Sequence, residues 1–381
     1  MIIFTSICAN YLHKAKTLAY SVKKHIPDSY FIVCLLEKEL ADNYDYTCFD
    51  EVVLAKDAWG DNFNNFIFKH KLVEASTAVK GQFFRYLQNR FHSENCFVYL
   101  DPDTFVYSDF SELRELLQTQ PIILCPHLLC PGNIDMELSS LAHGVYNLGF
   151  LAVNNSEEAH AFIKWWADRL YLFCYDDKAR GIFTDQKWIG LVPCFFETLI
   201  LKHHGYDFAT WSLLGCDIEK IDNNYFVSGD PLRFIHYSGY RETIDNCIRN
   251  WLPEEHHHFK DLYAEYAVIH DKNDEDSVSG TPWSYAYFDS GEAISDETRI
   301  VYRSNSDWMS IQEDPYTLSN DVLLRIEDGS VNLEPASAVQ PRLQRYVMRA
   351  VEIVKQDGFF ALFKKIFIKL SRMVTKNAGN K

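Results

Sequence analysis

The stretch FVYLDPDTFVYSD, residues 97–109, decides how this chain is read. An apolar run ends on Asp101, and Asp103 follows one residue later with Pro102 between them. Two carboxylates that close repel each other unless a cation or a proton intervenes. In open α/β sheets, ligands bind beyond the carboxyl ends of the strands, where these two side chains fall. Three readings fit the local pattern. The pair is a metal clamp for a phosphate-bearing substrate, because magnesium and manganese take such oxygens and keep positions open for phosphate. Or Asp101 is the nucleophile and Asp103 the acid/base of a DxDxT phosphatase, with Asp176 and Asp177 of CYDDKARG as a later acidic motif. Or DPD is an ordinary turn after a strand. The phosphatase signature usually opens its domain, whereas here a hundred residues precede Asp101.

Those preceding residues carry their own pattern. MIIFTSI reads as a strand, LHKAKTLAYSVKKHIP as an amphipathic helix closed by Pro27, and YFIVCLLE and DEVVLAKD as further strands. Such alternation predicts a parallel sheet beginning at residue 1. Residues 66–91 read as helical, CFVYLD as a strand, FSELRELLQ as a helix, and PIILCPH and YNLGFLAVN as strands. A long helix follows, with Ser156 as its N-cap and glutamates in its first turn. LRFIHYSG is the last strand of a unit expected to span residues 1–240. Residues 241–335 are more polar, with loop-like HDKNDEDSVSGTPW, and form a C-terminal extension on the expected acceptor side.

Composition narrows the function. The chain has 381 residues, of which 47% are apolar, enough for a sizeable core. Its net charge of −16 argues against nucleic acid as the main partner. That charge is uneven: residues 340–381 hold ten Lys/Arg against Glu352 and Asp357. Ten cysteines occur as singles with no CxxC pair, which argues for a reduced, cytoplasmic protein and against a zinc knuckle. The start lacks the basic n-region of a signal peptide, and no stretch is apolar enough to predict a spanning helix.

In order along the chain, several motifs resemble those of GT-A fold glycosyltransferases, close to glycosyltransferase family 8 and related bacterial polysaccharide-type transferases. ANYLHKAKTLAYSVKKHIPD resembles the loop and helix that bind base and ribose. EASTAVKGQFFRYL resembles the helix whose basic residue, here Lys80, faces the diphosphate. YLDPDTFV resembles the DxD motif, YNLGFLAVN the NSGF strand, FTDQKWI the DQ motif, and FIHYSGY the closing HFxG motif. Leu148 stands where the family has Ser. SGYRET, with Arg241, stands near its KPW.

The resemblance implies an α/β GT-A fold with a mixed, mostly parallel sheet flanked by helices. It also implies a hexosyltransferase that uses a nucleotide-sugar, expected to be a UDP-sugar, with retention of anomeric configuration. Asp101, Asp103 and His236 would hold Mn2+ or Mg2+, with Asp101 alternatively holding the ribose. The imidazole favours manganese. Thr5, Ser6, Asn10 and Tyr11 would meet the base and ribose, with Lys80 on the diphosphate. Asn147, Gly149, Asp185 and Gln186 would face the sugar. Asp185 and Gln186 are the expected catalytic pair: Asp185 as a partner for sugar hydroxyls, Gln186 against the developing positive charge.

A glycan or lipid-linked acceptor in surface polysaccharide or lipopolysaccharide assembly completes the expectation. The tail, 336–381, pairs apolar residues such as Phe359, Phe363 and Phe367 with Lys364, Lys365 and Lys369 over 341–374. That profile suits a helix on an anionic membrane surface, on its own domain, or on a homodimer partner. EEHHHF, with His256, His257 and His258, reads as a polar surface stretch, because three adjacent side chains point in different directions.

Overall fold

β1 (Ile2–Ile7) is buried along its whole length, as a strand covered on both faces must be. A computed structural model describes residues 1–325, apart from 61, 133, 214–215, 251–256, 275–276 and 305–313. The basic segment 341–374 therefore lies outside the described residues. α1 (Leu12–His25) follows β1 and lays Leu12, Ala15, Leu18, Ala19 and Val22 on the sheet. Its last turn carries Lys23, Lys24 and His25, which complement the negative end of the helix dipole. β2 (Tyr30–Leu35) pairs parallel with β1, and β3 (Glu51–Leu54) parallel with β2.

The stretch expected to be helical over 66–91 is three helices: α2 (Phe63–Phe68), α3 (Leu72–Ala78) and α4 (Lys80–Arg90). Lys71 is extended, at φ −71° and ψ 167°, and breaks the first junction, while Glu74 reaches back to accept from the Lys71 amide at 2.9 Å. Gly81 lets α4 lie against α7 (Glu157–Phe173): a Cβ at Gly81 would come 2.8 Å from the Ala167 Cα. α7 begins as its sequence predicts, with Ser156 Oγ accepting from the Ala159 amide at 3.2 Å.

β4 (Phe97–Leu100) pairs parallel with the other edge of β1. β5 (Thr104–Val106) then leaves the sheet, and α5 (Ser111–Leu116) leads to β6 (Ile122–Pro126). After α6 (Ile134–His143), β7 (Tyr146–Val153) inserts between β4 and β6, antiparallel to both. A hairpin of β8 (Asp176–Asp177) and β9 (Ile182–Phe183) precedes α8 (Gln186–Ile189) and α9 (Val192–Phe195). β10 (Leu199–Ile200) closes one edge. The strand order is β10-β6-β7-β4-β1-β2-β3. The fold is mixed α/β, with a mostly parallel sheet flanked by helices, as the strand–helix alternation predicts.

Side chains alternate across this sheet. Phe4 points to one face and meets the rings of Phe83, Phe84 and Tyr99 at 5.2, 4.7 and 5.1 Å. Ile3 points to the other face, among the side chains of α1 and α5. The remaining described elements carry weaker signals. β11 (Ile218–Ile221), β12 (Asn224–Val227) and β13 (Asp230–Pro231) form a small antiparallel sheet. β14 (Phe234–His236) pairs antiparallel with β5. α10 (Glu242–Asn250) is followed by α11 (His257–Asn273), which packs on α1 and extends into the segment expected to be loop-like from His270.

Near the end of the described chain lie α12 (Asp296–Ser304) and α13 (Asn320–Arg325). Trp283, Tyr285, Tyr302 and Tyr316 join the same buried cluster as Ile67 and Phe68. Trp283 Nε1 donates to the Leu36 carbonyl at 2.8 Å. Among the described residues, no helix is long and apolar enough to cross a membrane.

Candidate active site

Charge collects where β4 ends. The Asp101 amide donates to the Gly149 carbonyl at 2.9 Å, and the Thr104 amide donates back to the Asp101 carbonyl at 3.1 Å, closing a turn around Pro102. Pro102 fixes the backbone between the two carboxylates. β5 then runs beside β14, with His236 opposite Thr104. That pairing carries the imidazole to the two aspartates. His236 Nε2 lies 3.2 Å from Asp103 Oδ1 and 3.7 Å from Asp101 Oδ2. Ligand atoms from Asp101, Asp103 and His236 all fall within 4.8 Å of one another, the one such grouping among the described residues. Two hard oxygens and one imidazole nitrogen suit manganese or magnesium. Backbone packing makes room for the ring: a Cβ on Gly149 would lie 2.5 Å from the His236 imidazole.

Lys80 sits behind the aspartates, at the first turn of α4. Its Nζ is 3.3 Å from Asp101 Oδ1 and 3.0 Å from Asp185 Oδ2, and it donates to the Leu148 carbonyl at 3.2 Å. Burial works against its charge, but Asp101 and Asp185 hold the ammonium well above its usual value. Burial raises the Asp185 carboxyl, with Lys80 opposing. Burial also opposes protonation of His236, yet Asp103 and Asp207 lift it well above its usual value. For Asp103 burial acts upward, and Lys14 and His236 together hold it below the usual carboxylate range.

The other expected residues fall in two groups. Asn147, Gly149, Asp185 and Gln186 form one, tied by local hydrogen bonds. Asn147 Oδ1 accepts from the Gly149 amide at 2.6 Å, and Thr184 Oγ1 donates to Asp185 Oδ1 at 3.1 Å. Gln186 has both amide ends engaged: Oε1 accepts from the Leu148 amide at 3.0 Å, and Nε2 donates to the His143 carbonyl at 3.2 Å. In the second group, Thr5 is fully buried, and Ser6 donates to the Ser76 carbonyl at 2.8 Å. Asn10 keeps a buried Oδ1 without a hydrogen-bond partner. Tyr11 is exposed at the start of α1. Arg241 pairs with Asp271 at 2.6 Å. Asp176 and Asp177 do not join Asp101 and Asp103; Asp177 is tied to Arg180 within its own turn. His257 is exposed at the start of α11.

Three residues escape the motif reading. Tyr99 donates to Asp101 Oδ1 at 2.6 Å and carries Lys80 over its ring at 4.1 Å. Its signal was available, since residues two apart on a strand share a face. Lys14 lies 3.7 Å from Asp103 Oδ2 and 4.2 Å from the centre of the Tyr11 ring. Three-residue spacing on α1 puts it beside Tyr11. Asp207, in the loop between β10 and β11, has no such signal. Next to it lies a cavity of about 430 Å³ whose lining includes His127, Cys130, Met136, Asp207, Trp211 and Cys216. The Trp211 ring is 5.8 Å from that of His236 and 5.4 Å from that of His127.

No family model matches this sequence. The chain is similar to the uncharacterized protein YfnD of Bacillus subtilis (strain 168), at 22% identity over 196 residues, covering 50% of this chain and 62% of that protein. It is also similar to the uncharacterized protein YfnF of the same organism, at 27% identity over 161 residues, covering 40% of this chain and 52% of that protein. The matches thus span between half and two thirds of those relatives' length. Among solved structures it is similar to the galactosyltransferase LgtC in complex with donor and acceptor sugar analogs, at 15% identity and a TM-score of 0.43, covering 71% of this chain and 96% of that one. A second is the glycosyltransferase GlyE of Streptococcus pneumoniae TIGR4, at 14% identity and a TM-score of 0.39, covering 75% of this chain and 66% of that one.

Proposed function

We propose that this protein is a metal-dependent glycosyltransferase. It moves a hexosyl group from a nucleotide-sugar, a UDP-sugar, to a glycan or lipid-linked acceptor with retention of configuration, in surface polysaccharide assembly. One observation carries the reading: Asp101, Asp103 and His236 converge within 4.8 Å at a strand end, with Lys80 beside Asp101. When bound there, a divalent ion supplies Lewis-acid stabilisation of a departing diphosphate. All other steps belong to the chain. Lys80 adds a fixed positive charge beside Asp101, and Tyr99 anchors that carboxylate from behind. Tyr11 offers a ring for the base, with Asn10 beside it. Asp185, held by Lys80 and Thr184, meets sugar hydroxyls. Gln186 places its amide dipole against positive charge developing on the sugar, without forming a covalent bond. The cavity at Trp211 and His127 takes the acceptor saccharide, whose ring can stack on the aromatic faces.

Thermal unfolding with UDP-, GDP- and CDP-sugars, each with and without manganese, tests this reading. Stabilisation by a UDP-sugar that requires the ion, together with release of the nucleoside diphosphate on turnover, is the expected result. Cleavage of a generic aryl phosphate with no response to nucleotide-sugars would support the phosphatase instead. Neither response would leave a carbohydrate-binding protein without catalysis.

A further inference from the structure

Asp207 is a buried carboxylate that the reading above leaves without a task. Its side chain is 1% exposed, and neither oxygen takes a hydrogen bond. Burying an acceptor that way is costly, so such a group calls for an explanation. Its backbone is unusual too, with φ at +51°, in the left-handed region. The chain holds it there with a short zipper. The Phe208 amide donates to the Phe234 carbonyl at 3.3 Å, and the His236 amide donates to the Phe208 carbonyl at 2.7 Å. Phe208 thereby forms a bridge with Ile235, and Asp207 is fixed at the side of His236.

The side matters. Asp207 Oδ1 lies 3.4 Å from His236 Nδ1, whereas Asp101 and Asp103 face Nε2. Asp207 therefore stands behind the imidazole, on the face opposite the ligand cluster, and is not itself a ligand of that cluster. His236 Nδ1 has no hydrogen-bond partner either, and Asp207 Oδ1 is a carboxylate oxygen 3.4 Å from it. A histidine that ligates a metal through one nitrogen commonly gives its other N–H to a carboxylate, which fixes tautomer and ring orientation.

We infer that Asp207 is the positioning residue for the metal site: it accepts the Nδ1 proton of His236 and thereby presents Nε2 to a divalent cation shared with Asp101 and Asp103. This inference rests on the metal reading of that cluster. Asp207 also walls the cavity beside Trp211, so one carboxylate joins the ion site to the wall of the acceptor cavity.

The test is a titration of the full chain with Mn2+ alone, with free ion followed by electron paramagnetic resonance. Wild type should bind one ion. Asp207→Asn and Asp207→Ala should bind it about 10- to 100-fold more weakly, while keeping the metal-free unfolding midpoint of wild type. Variants that bind Mn2+ as tightly as wild type overturn the role of Asp207 and leave the metal reading standing. Wild type that binds no Mn2+ overturns both. Histidine-selective nitrogen NMR of wild type with saturating Mg2+ covers the case in which the variants do not fold. A proton on Nδ1 of His236 is expected, and a proton on Nε2 overturns the inference.

Discussion

Two cations, the buried Lys80 and the half-buried Arg303, show how differently one fold can use charge. Arg303 donates to Glu74 at 2.8 Å and lies 3.9 Å over the Tyr175 ring. Glu74 also accepts from the amides of Lys71 and Asp176, at 2.9 and 3.0 Å. Each charge is matched, nearly dry, and serves to hold α12 against the start of α3. Lys80 is more deeply buried, its side chain 3% exposed against 9% for Arg303, and the carboxylates around it outnumber the cations. Asp101, Asp103 and Asp185 gather near Lys80 and Lys14, and Asp101 stays 26% exposed. The structural pair leaves no ligand atoms over. The strand-end cluster instead brings one oxygen each from Asp101 and Asp103 and one nitrogen from His236 within 4.8 Å of one another, the arrangement on which the proposed cation site rests.

The sharpest way to break that contrast is Asp103→Asn. Turnover should fall by about 10²-fold or more, the scale seen when one electrostatic stabiliser is lost. Mn2+-dependent stabilisation should disappear, while the metal-free unfolding midpoint stays within a few degrees of wild type. A variant that unfolds instead would mean the aspartates are structural. Arg303→Met should do the reverse. Leaving Glu74 buried and unpaired costs about 3–5 kcal/mol of stability, readable in urea unfolding, while turnover per folded molecule is unchanged. Loss of turnover in the folded fraction would erase the distinction between the two cations.

Gly149→Ala sharpens the contrast by geometry alone. The added methyl would meet the His236 ring at 2.5 Å, so the ring must move. Mn2+ affinity should drop about tenfold or more, in the range of losses from disturbed ligand support; unaltered affinity would show that the ring is not held where the ligands meet. The smallest effect concerns pH. Burial, with His270 nearby, lowers the His13 pKa to about 4 from its usual 6.5. A depressed value means the folded state prefers neutral His13. Its contribution is present above pH 6.5 and is lost as pH falls toward 4. His13→Gln should therefore lose less stability than wild type between those pH values, measured by urea unfolding at each pH. Equal slopes would remove His13 from the acid response.

Much of this was legible because strands buried on both faces carry their own pattern. β1, β2, β4 and β7 are short apolar runs, and the helices between them have one apolar face, so the sheet follows from residue order. The cluster was legible for a different reason: Asp101, Asp103, Lys80, Asp185 and His236 sit in recognisable local motifs. What stayed hidden is held together by contacts remote in sequence. β11–β13 are short, with three of the four β11 residues exposed, and α6 buries none of its residues. Lys71 and Val79 divide the 66–91 helix without a proline or glycine at either point. Asp207 gains meaning only when Phe208 pairs with Ile235.

The pairing of β5 with β14 sets an order of events. Asp103 and the Thr104 that opens β5 belong to the first third of the chain, and His236, opposite Thr104, comes far later. During synthesis the sheet around β1, β2 and β4 can form while the ribosome is still making β14. The nascent protein therefore passes through a stage with two closely spaced aspartates and no imidazole beside them. The grouping of all three residues arrives late and in one step, when residues 234–236 emerge and close a loop of more than a hundred residues.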